Sequence, residues 1–98
     1  GGQQEMLAIG RALAGGPEVL ILDEPSEGVQ PNIVSQIGEA ILDFRKQLSL
    51  SIILIDQNAS LISNTVDRAY AIEKGSVVAM LDSDAVRNEE KLSQVLSI

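Results

Sequence analysis

Two short apolar runs on either side of a long amphipathic pattern constrain the fold of this chain most strongly. Val19 to Leu22 and Ser51 to Ile55 have the length and apolar character of strands, as is typical of strands buried on both faces of a parallel sheet. Between them, apolar residues recur in steps of four and three, which predicts a helix from Asn32 to about Leu48 with Asn32 capping its start. Strand, helix and strand in this order predict a βαβ unit with parallel pairing.

The rest of the chain predicts further short elements and therefore an α/β fold class. A first helix is expected over 3–14, ended by Gly15-Gly16-Pro17, because Gly tolerates the left-handed C-terminal conformation and Pro cannot continue a helix. After the βαβ unit, the pattern predicts a helix over 59–65, strands over 69–73 and 76–81 around a Lys74-Gly75 turn, and one or two closing helices over 84–98.

Composition excludes several classes of function. The 98 residues include 14 Asp and Glu against 7 Lys and Arg, for a formal net charge of -7, and an acidic chain without a basic cluster is poorly suited to bind nucleic acid through phosphates. There is no Cys or His, which excludes thiolate and imidazole metal ligands and Ser-His catalysis within this sequence. No apolar run approaches the roughly 20 residues of a membrane span, so we expect no direct span.

Two carboxylates follow the first apolar run, in the order Asp23, Glu24. In open α/β sheets, ligands bind at the carboxyl ends of the strands. The first carboxylate could hold the magnesium ion of a nucleoside triphosphate, often through water, and the second could polarise an attacking water molecule. The alternative is a strand that simply ends at a solvated acidic turn.

Glycines stand at the start of the first expected helix, in the sequence Gly1-Gly2-Gln3-Gln4. Glycine allows close backbone approach, and free amide groups at a helix N-terminus favour an anion such as phosphate. Two glycines before a helix are also commonly no more than a flexible start, so this signal is weak by itself.

Together these segments resemble the ATP-binding cassette (ABC) ATPase family. The similar segments are Gly1-Gly2-Gln3 (the end of the signature motif), Val19 to Glu24 (the Walker B strand), Pro25 to Pro31 (the D-loop), Ile52 to Asn58 (the switch strand), and Arg68-Ala69-Tyr70 with Glu73-Lys74-Gly75 (the hairpin that follows). The resemblance covers nearly the whole chain, in the family's order and spacing. It implies that residues 1–98 form the C-terminal part of a P-loop NTPase domain of the ABC type, without the Walker A loop and Q-loop.

Within the family, the sequence resembles in particular the ATPase subunits of branched-chain amino acid and urea importers. Its D-loop reads Ser-Glu-Gly-Val-Gln-Pro, and Gln57 stands where most relatives have His. A glutamine amide cannot act as an acid or base, but it can donate a hydrogen bond to a γ-phosphate. The alternative for Gln57 is a polar residue that caps the next helix.

The resemblance implies a role for each motif in a site that sandwiches ATP and Mg²⁺ between two ATPase subunits. Asp23 would help hold magnesium, Glu24 would activate the attacking water, and Gln57 would contact the γ-phosphate. The remaining positions are Gly1, Gly2 and Gln3, which would contact ATP bound mainly by the second subunit, and Gly28, Val29 and Gln30, which would join the two sites. Transmembrane permease subunits would be further partners, with the ATPase bound peripherally at the cytoplasmic face of the inner membrane.

The same resemblance predicts that these 98 residues are inactive by themselves. They contain no Gly-Lys-Ser/Thr phosphate loop, which supplies most of the backbone ligands of the triphosphate in P-loop proteins. Two other interpretations stay open at this point. One is part of a soluble ABC ATPase that serves a process other than transport, and the other is a non-enzymatic interaction module that retains an α/β segment.

Overall fold

A computed structural model describes residues 4, 7, 9–11, 16, 18–48 and 50–96. The chain divides into two compact units, Gly1–Asp56 and Gln57–Ile98. Of the helix expected over 3–14, the described residues are Gln4, Leu7 and 9–11, and all of them are helical. Of the expected stop signal only Gly16 is described, and its positive φ of 63° suits a glycine that follows a helix.

The first unit contains the expected strand, helix and strand. Strand β1 spans Val19–Asp23, helix α1 spans Pro31–Gln47 and strand β2 spans Ser51–Ile55. The two strands pair in parallel, in a register that places Leu20 beside Ile52 and Asp23 beside Ile55. The predicted βαβ unit is therefore confirmed, and the register brings the carboxyl ends of both strands to one edge of the sheet.

Among the described residues, β1 buries only one of its faces, whereas the sequence pattern indicates a strand buried on both faces. The buried apolar residues of β1 and α1 are Leu20, Leu22, Val34, Ile37 and Ile41. On the opposite face of β1, Val19 is 51% exposed and Ile21 is 62% exposed. A single crossover helix covers only one side of a strand pair, which explains why the second apolar face stays open within the described part of the chain.

Helix α1 begins one residue earlier than expected, and Asn32 does not cap it. Pro31 is the first helical residue and Gln30 is the N-cap, without a side-chain capping bond. Proline suits the first helical position because its φ is already helical and its missing N–H would have no partner there. Asn32 therefore lies inside the first turn, where its side chain cannot act as the N-cap.

The second unit combines three short helices with a two-stranded antiparallel sheet in its described residues. Its elements are α2 (Ala59–Thr65), β3 (Ala69–Glu73), β4 (Ser76–Leu81), α3 (Ser83–Arg87) and α4 (Glu89–Leu96). The closing segment thus forms two helices. Asn58 and Asp82 cap α2 and α3, each accepting a hydrogen bond of 2.9 Å from a backbone N–H in the first turn. Leu61, Leu81, Val86 and Leu92 are buried apolar residues of this unit.

The β3–β4 hairpin has a tight turn and one exposed apolar face. Lys74 and Gly75 form the two-residue connection, with φ of 51° and 80°, and positive φ at both positions is the signature of a type I′ turn. Strand β4 carries one extra residue opposite Ala71 and Ile72. The exposed apolar side chains of the hairpin are Tyr70, Ile72, Val77, Val78 and Met80.

No helix among the described residues has both the length and the apolar character that crossing a membrane requires.

Replacing Gly75 and Gly10 by Ala is expected to change stability in opposite directions. At both positions an added Cβ would meet nothing within 4 Å, so backbone conformation alone decides the outcome. Gly75→Ala should lower the free energy of unfolding by about 1 kcal/mol because an L-residue is strained at positive φ. Gly10→Ala, in a helix, should raise it by about 0.5–1 kcal/mol. Chemical denaturation of both variants measures the difference, and equal shifts would contradict the I′ turn.

Candidate functional site

The carboxyl end of β1 presents two acidic side chains in different directions. Asp23 is the last residue of β1 and lies on the exposed face of the strand with Val19 and Ile21. Glu24 follows with a φ of 52°, and its N–H donates a 2.6 Å hydrogen bond to the Ile55 carbonyl at the end of β2. A left-handed backbone at a residue other than glycine costs about 1–3 kcal/mol and often accompanies a functional site.

The loop after Glu24 folds through two successive turns. The Glu27 N–H donates to the Glu24 carbonyl at 3.1 Å, and the Val29 N–H donates to the Ser26 carbonyl at 3.2 Å. Gly28 lies in the second turn with a φ of 70°, a conformation that glycine adopts without strain. Gln30 ends the loop, and its carbonyl accepts hydrogen bonds from the first turn of α1.

One side chain at the end of β2 fastens this loop. The two carboxylate oxygens of Asp56 accept hydrogen bonds from the Ser26 N–H at 3.1 Å and from the Ser26 hydroxyl at 2.6 Å. Both residues are half-buried. The loop is therefore held to β2 at two points, through Glu24 and through Ser26.

Neighbouring acids raise the pKa of the Glu24 carboxyl above its usual value. The largest cause is a hydrogen bond with the Glu27 side chain, followed by Coulombic repulsion from Glu27, desolvation, and repulsion from Asp23 and Asp56. A carboxylate with a raised pKa is a stronger base than an ordinary glutamate once it is ionised. The electrostatics of this loop therefore suit Glu24 for accepting a proton.

The sequence of this chain is similar to curated proteins of one family. The chain is 44% identical to the high-affinity branched-chain amino acid transport ATP-binding protein BraG of Pseudomonas aeruginosa, covering 90% of this chain and 40% of that protein. It is 35% identical to the lipopolysaccharide export system ATP-binding protein LptB of Haemophilus influenzae, over 97% of this chain and 39% of LptB. It is 36% identical to the methionine import ATP-binding protein MetN 2 of Listeria monocytogenes, over 96% of this chain and 28% of MetN 2.

Solved structures give the same result. The cbiO1 protein of Clostridium perfringens, part of the ABC transporter complex cbiONQ, superposes with a TM-score of 0.80 at 30% identity, over 93% of this chain and 36% of cbiO1. MJ1267, an ATP-binding cassette of an ABC transporter, superposes in its ADP conformation with a TM-score of 0.79 at 29% identity, over 99% of this chain and 36% of MJ1267. The chain belongs to the ABC ATPase family. No family model matches it.

This ABC chain spans 28–40% of the length of the curated relatives named above. The α/β fold class expected from the sequence is confirmed by the likeness to ABC ATPase domains.

One carboxylate among the described residues of this ABC chain fits the metal-binding role expected of Asp23. Asp23 offers an exposed carboxylate, a hard oxygen ligand of the kind that Mg²⁺ accepts, but no three acidic side chains gather into a cation-binding group there. Magnesium in nucleotide sites is usually held by one or two carboxylates together with phosphate oxygens and water. Asp23 therefore fits the role of a single protein ligand to Mg·ATP.

The structure brings five of the predicted site residues of this ABC chain into one loop region. These are Asp23, Glu24, Gly28, Val29 and Gln30. Gln57 opens the second unit and is exposed, whereas Asn58 caps α2, so the alternative that Gln57 caps this helix is wrong. Gly1, Gly2 and Gln3 lie outside the described residues.

Three residues of this region lie within the D-loop and switch-strand segments, but their sequence context assigns them no individual role: Ser26, Glu27 and Asp56. The Ser26–Asp56 contact joins positions 30 residues apart, and no pattern of neighbouring residues predicts such a pair. The repeat of Glu at positions 24 and 27 was a usable signal, since a Pro after the first Glu favours a tight turn that returns the second Glu to it.

Proposed function

We propose that this chain is the segment of an ABC importer's ATP-binding subunit that runs from the end of the signature motif to the C-terminus of the nucleotide-binding domain. The whole subunit hydrolyses Mg·ATP to drive uptake through a permease. The observation that carries the proposal is the end of β1, where Glu24 is held in a left-handed conformation by its hydrogen bond to Ile55, immediately after the exposed Asp23.

In this proposal the two carboxylates divide the chemistry between them. Asp23 holds magnesium, which when bound neutralises negative charge on the phosphates. Glu24 orients the attacking water and accepts its proton. The amide of Gln57 donates a hydrogen bond to the γ-phosphate, which stabilises the charge that develops there.

The remaining predicted residues act between two ATPase subunits. Gly1, Gly2 and Gln3 contact ATP bound mainly by the second subunit, and Gly28, Val29 and Gln30 join the two sites. The exposure of Gly28 and Gln30 in this chain supports a role at a subunit interface. Permease subunits are the other partners, and the assembly places the ATPase at the cytoplasmic face of the inner membrane.

Branched-chain amino acids are the proposed cargo. Identity to BraG, at 44%, exceeds the 35% and 36% to the lipopolysaccharide exporter and methionine importer subunits. The D-loop sequence and Gln57 support the same branch, in which urea or other amides are the second option. All three of these relatives serve transport by their names, which disfavours an ABC ATPase of another process.

The proposal is tested by uptake into proteoliposomes that contain the full-length subunit and its permease. We expect ATP-dependent accumulation of labelled leucine in preference to urea, and Glu24→Gln should reduce it by at least about 10²-fold. Asp43→Asn, an exposed acid on α1, is the matched control and should retain uptake.

Each other outcome selects a different function. Mg·ATP hydrolysis without uptake of either solute would favour a different cargo or a non-transport ATPase. A full-length subunit that neither binds nor hydrolyses ATP would favour the interaction module. The isolated 98 residues should release phosphate at the background rate.

A further inference from the structure

We infer that Ser26 and Asp56 are positioning residues for ATP hydrolysis, because their paired hydrogen bonds hold the loop that carries Glu24. This inference rests on the proposed function. Neither residue is expected to touch the reacting atoms, and both act through the conformation of Glu24.

The contact between Ser26 and Asp56 consists of two hydrogen bonds to a carboxylate group. One serine donates both its N–H, at 3.1 Å, and its hydroxyl, at 2.6 Å, to separate oxygens of one carboxylate. Hydrogen bonds to an ionised acceptor are shorter and about twice as strong as neutral ones. Two donors on two oxygens also fix the orientation of the carboxylate relative to the loop, as a single bond cannot.

Its position in the chain makes this contact a restraint on Glu24. The Glu24 N–H is bonded to Ile55, and two residues later Ser26 is bonded to Asp56, the residue after Ile55. Between them stands Pro25, which is buried and whose ring fixes φ. Glu24 is therefore held on both sides by successive residues at the end of β2.

A restraint is needed here because the backbone of Glu24 is strained. Its φ of 52° lies in a region that a glutamate rarely adopts unless the surrounding structure enforces it. If the Ser26–Asp56 bonds were lost, the loop could relax and the carboxylate would sample positions away from the attacking water. Small misplacements of a catalytic group lower the rate without removing the ligand contacts that determine affinity.

The test uses steady-state kinetics of the full-length subunit with its permease. Ser26→Ala and Asp56→Ala should each lower kcat for ATP about 10- to 100-fold, with KM for ATP nearly unchanged. Ser26→Thr keeps the hydroxyl donor and should restore most of kcat. Ser35→Ala is the matched control, because the Ser35 hydroxyl makes a long, exposed bond of 3.4 Å to Pro31 on α1, and its kcat should equal that of the wild type.

Two further measurements distinguish a loss of Glu24 positioning from a general loss of folded structure. The double variant Ser26→Ala with Asp56→Ala should be no slower than the slower single variant, since both remove the same contact. Hydrogen exchange at the Ser26 amide should accelerate in Asp56→Ala and stay unchanged in Ser35→Ala. If Asp56→Ala fails to fold, Ser26→Ala and its rescue by Ser26→Thr still decide the question.

The possible failures are distinguishable. An active wild-type subunit whose folded Ser26→Ala and Asp56→Ala variants keep full kcat would overturn this inference alone, and so would a rise in KM with kcat intact. A wild-type subunit without ATP hydrolysis would overturn the proposed function and this inference together.

Discussion

Replacement of Glu24 by Gln in the full-length subunit is expected to slow single-turnover ATP hydrolysis by about 10²–10⁴-fold, the usual contribution of a general base. The affinity for Mg·ATP should remain nearly that of the wild type. Gln keeps the size of the side chain and the left-handed backbone tether to Ile55, but it cannot accept a proton. The change therefore removes stabilisation of the transition state and leaves ground-state binding in place.

Asp23→Asn provides the contrasting variant at the neighbouring position. The side chain of Asp23 follows the alternation of exposed and buried side chains along β1, whereas the backbone of Glu24 departs from the strand conformation with a positive φ. We therefore expect only one of the two carboxylates to face the metal. Asp23→Asn should weaken magnesium-dependent nucleotide binding as well as hydrolysis. Nucleotide affinity and single-turnover rates are measured for both variants. Lost binding in Glu24→Gln with retained binding in Asp23→Asn would reverse the two roles.

Truncation of Ile37 to Ala is expected to lower the free energy of unfolding by about 2–5 kcal/mol, as for other fully buried Ile and Leu residues. Ile37 is 0% exposed in the middle of α1, between the buried Val34 and Ile41. Removing its side chain beyond Cβ loses the transfer free energy of the buried atoms and leaves a cavity that close-packed neighbours fill only in part. Ile37→Val should cost less, about 0.5–1.5 kcal/mol.

The matched control for Ile37 lies on the same helix. Leu42 is 41% exposed, so Leu42→Ala removes a similar number of carbon atoms from a site that is already partly hydrated. Its cost should be under about 1 kcal/mol, since less apolar area returns to water. Urea denaturation of the three variants gives the comparison. Equal losses for Ile37→Ala and Leu42→Ala would contradict the described packing of α1.

The order and type of the elements could be predicted because each has a local cause. The βαβ unit could be predicted from the spacing of its apolar residues. Its strands correspond to the apolar runs at 19–22 and 51–55, and its helix corresponds to the apolar stripe between them. The Lys74-Gly75 turn follows from the need for positive φ in a two-residue hairpin. Helix α1 starts at Pro31 and not at the expected Asn32, because proline is even better suited to the first helical position.

The candidate site could be predicted only where single residues carry the chemistry. Asp23 and Glu24 can be predicted as candidates because their position after an apolar strand is visible in the sequence. The left-handed backbone of Glu24 and the Ser26–Asp56 bonds were not found, since both depend on which strands become neighbours. The exposed faces of Val19, Ile21 and the hairpin could not be predicted either, because an apolar strand looks the same in sequence whether one of its faces is covered or both.

The position of Tyr70 on the exposed face of the hairpin has a practical consequence for spectroscopy. The 98 residues contain one Tyr, one Phe and no Trp, so tyrosine emission from this segment arises in the second unit alone. The first unit contains Phe44 but no Tyr or Trp, and phenylalanine emits very little light under the excitation used for tyrosine. Fluorescence of the segment therefore reports on solvent access to the hairpin, whereas loss of the βαβ unit has to be followed by circular dichroism or another backbone signal.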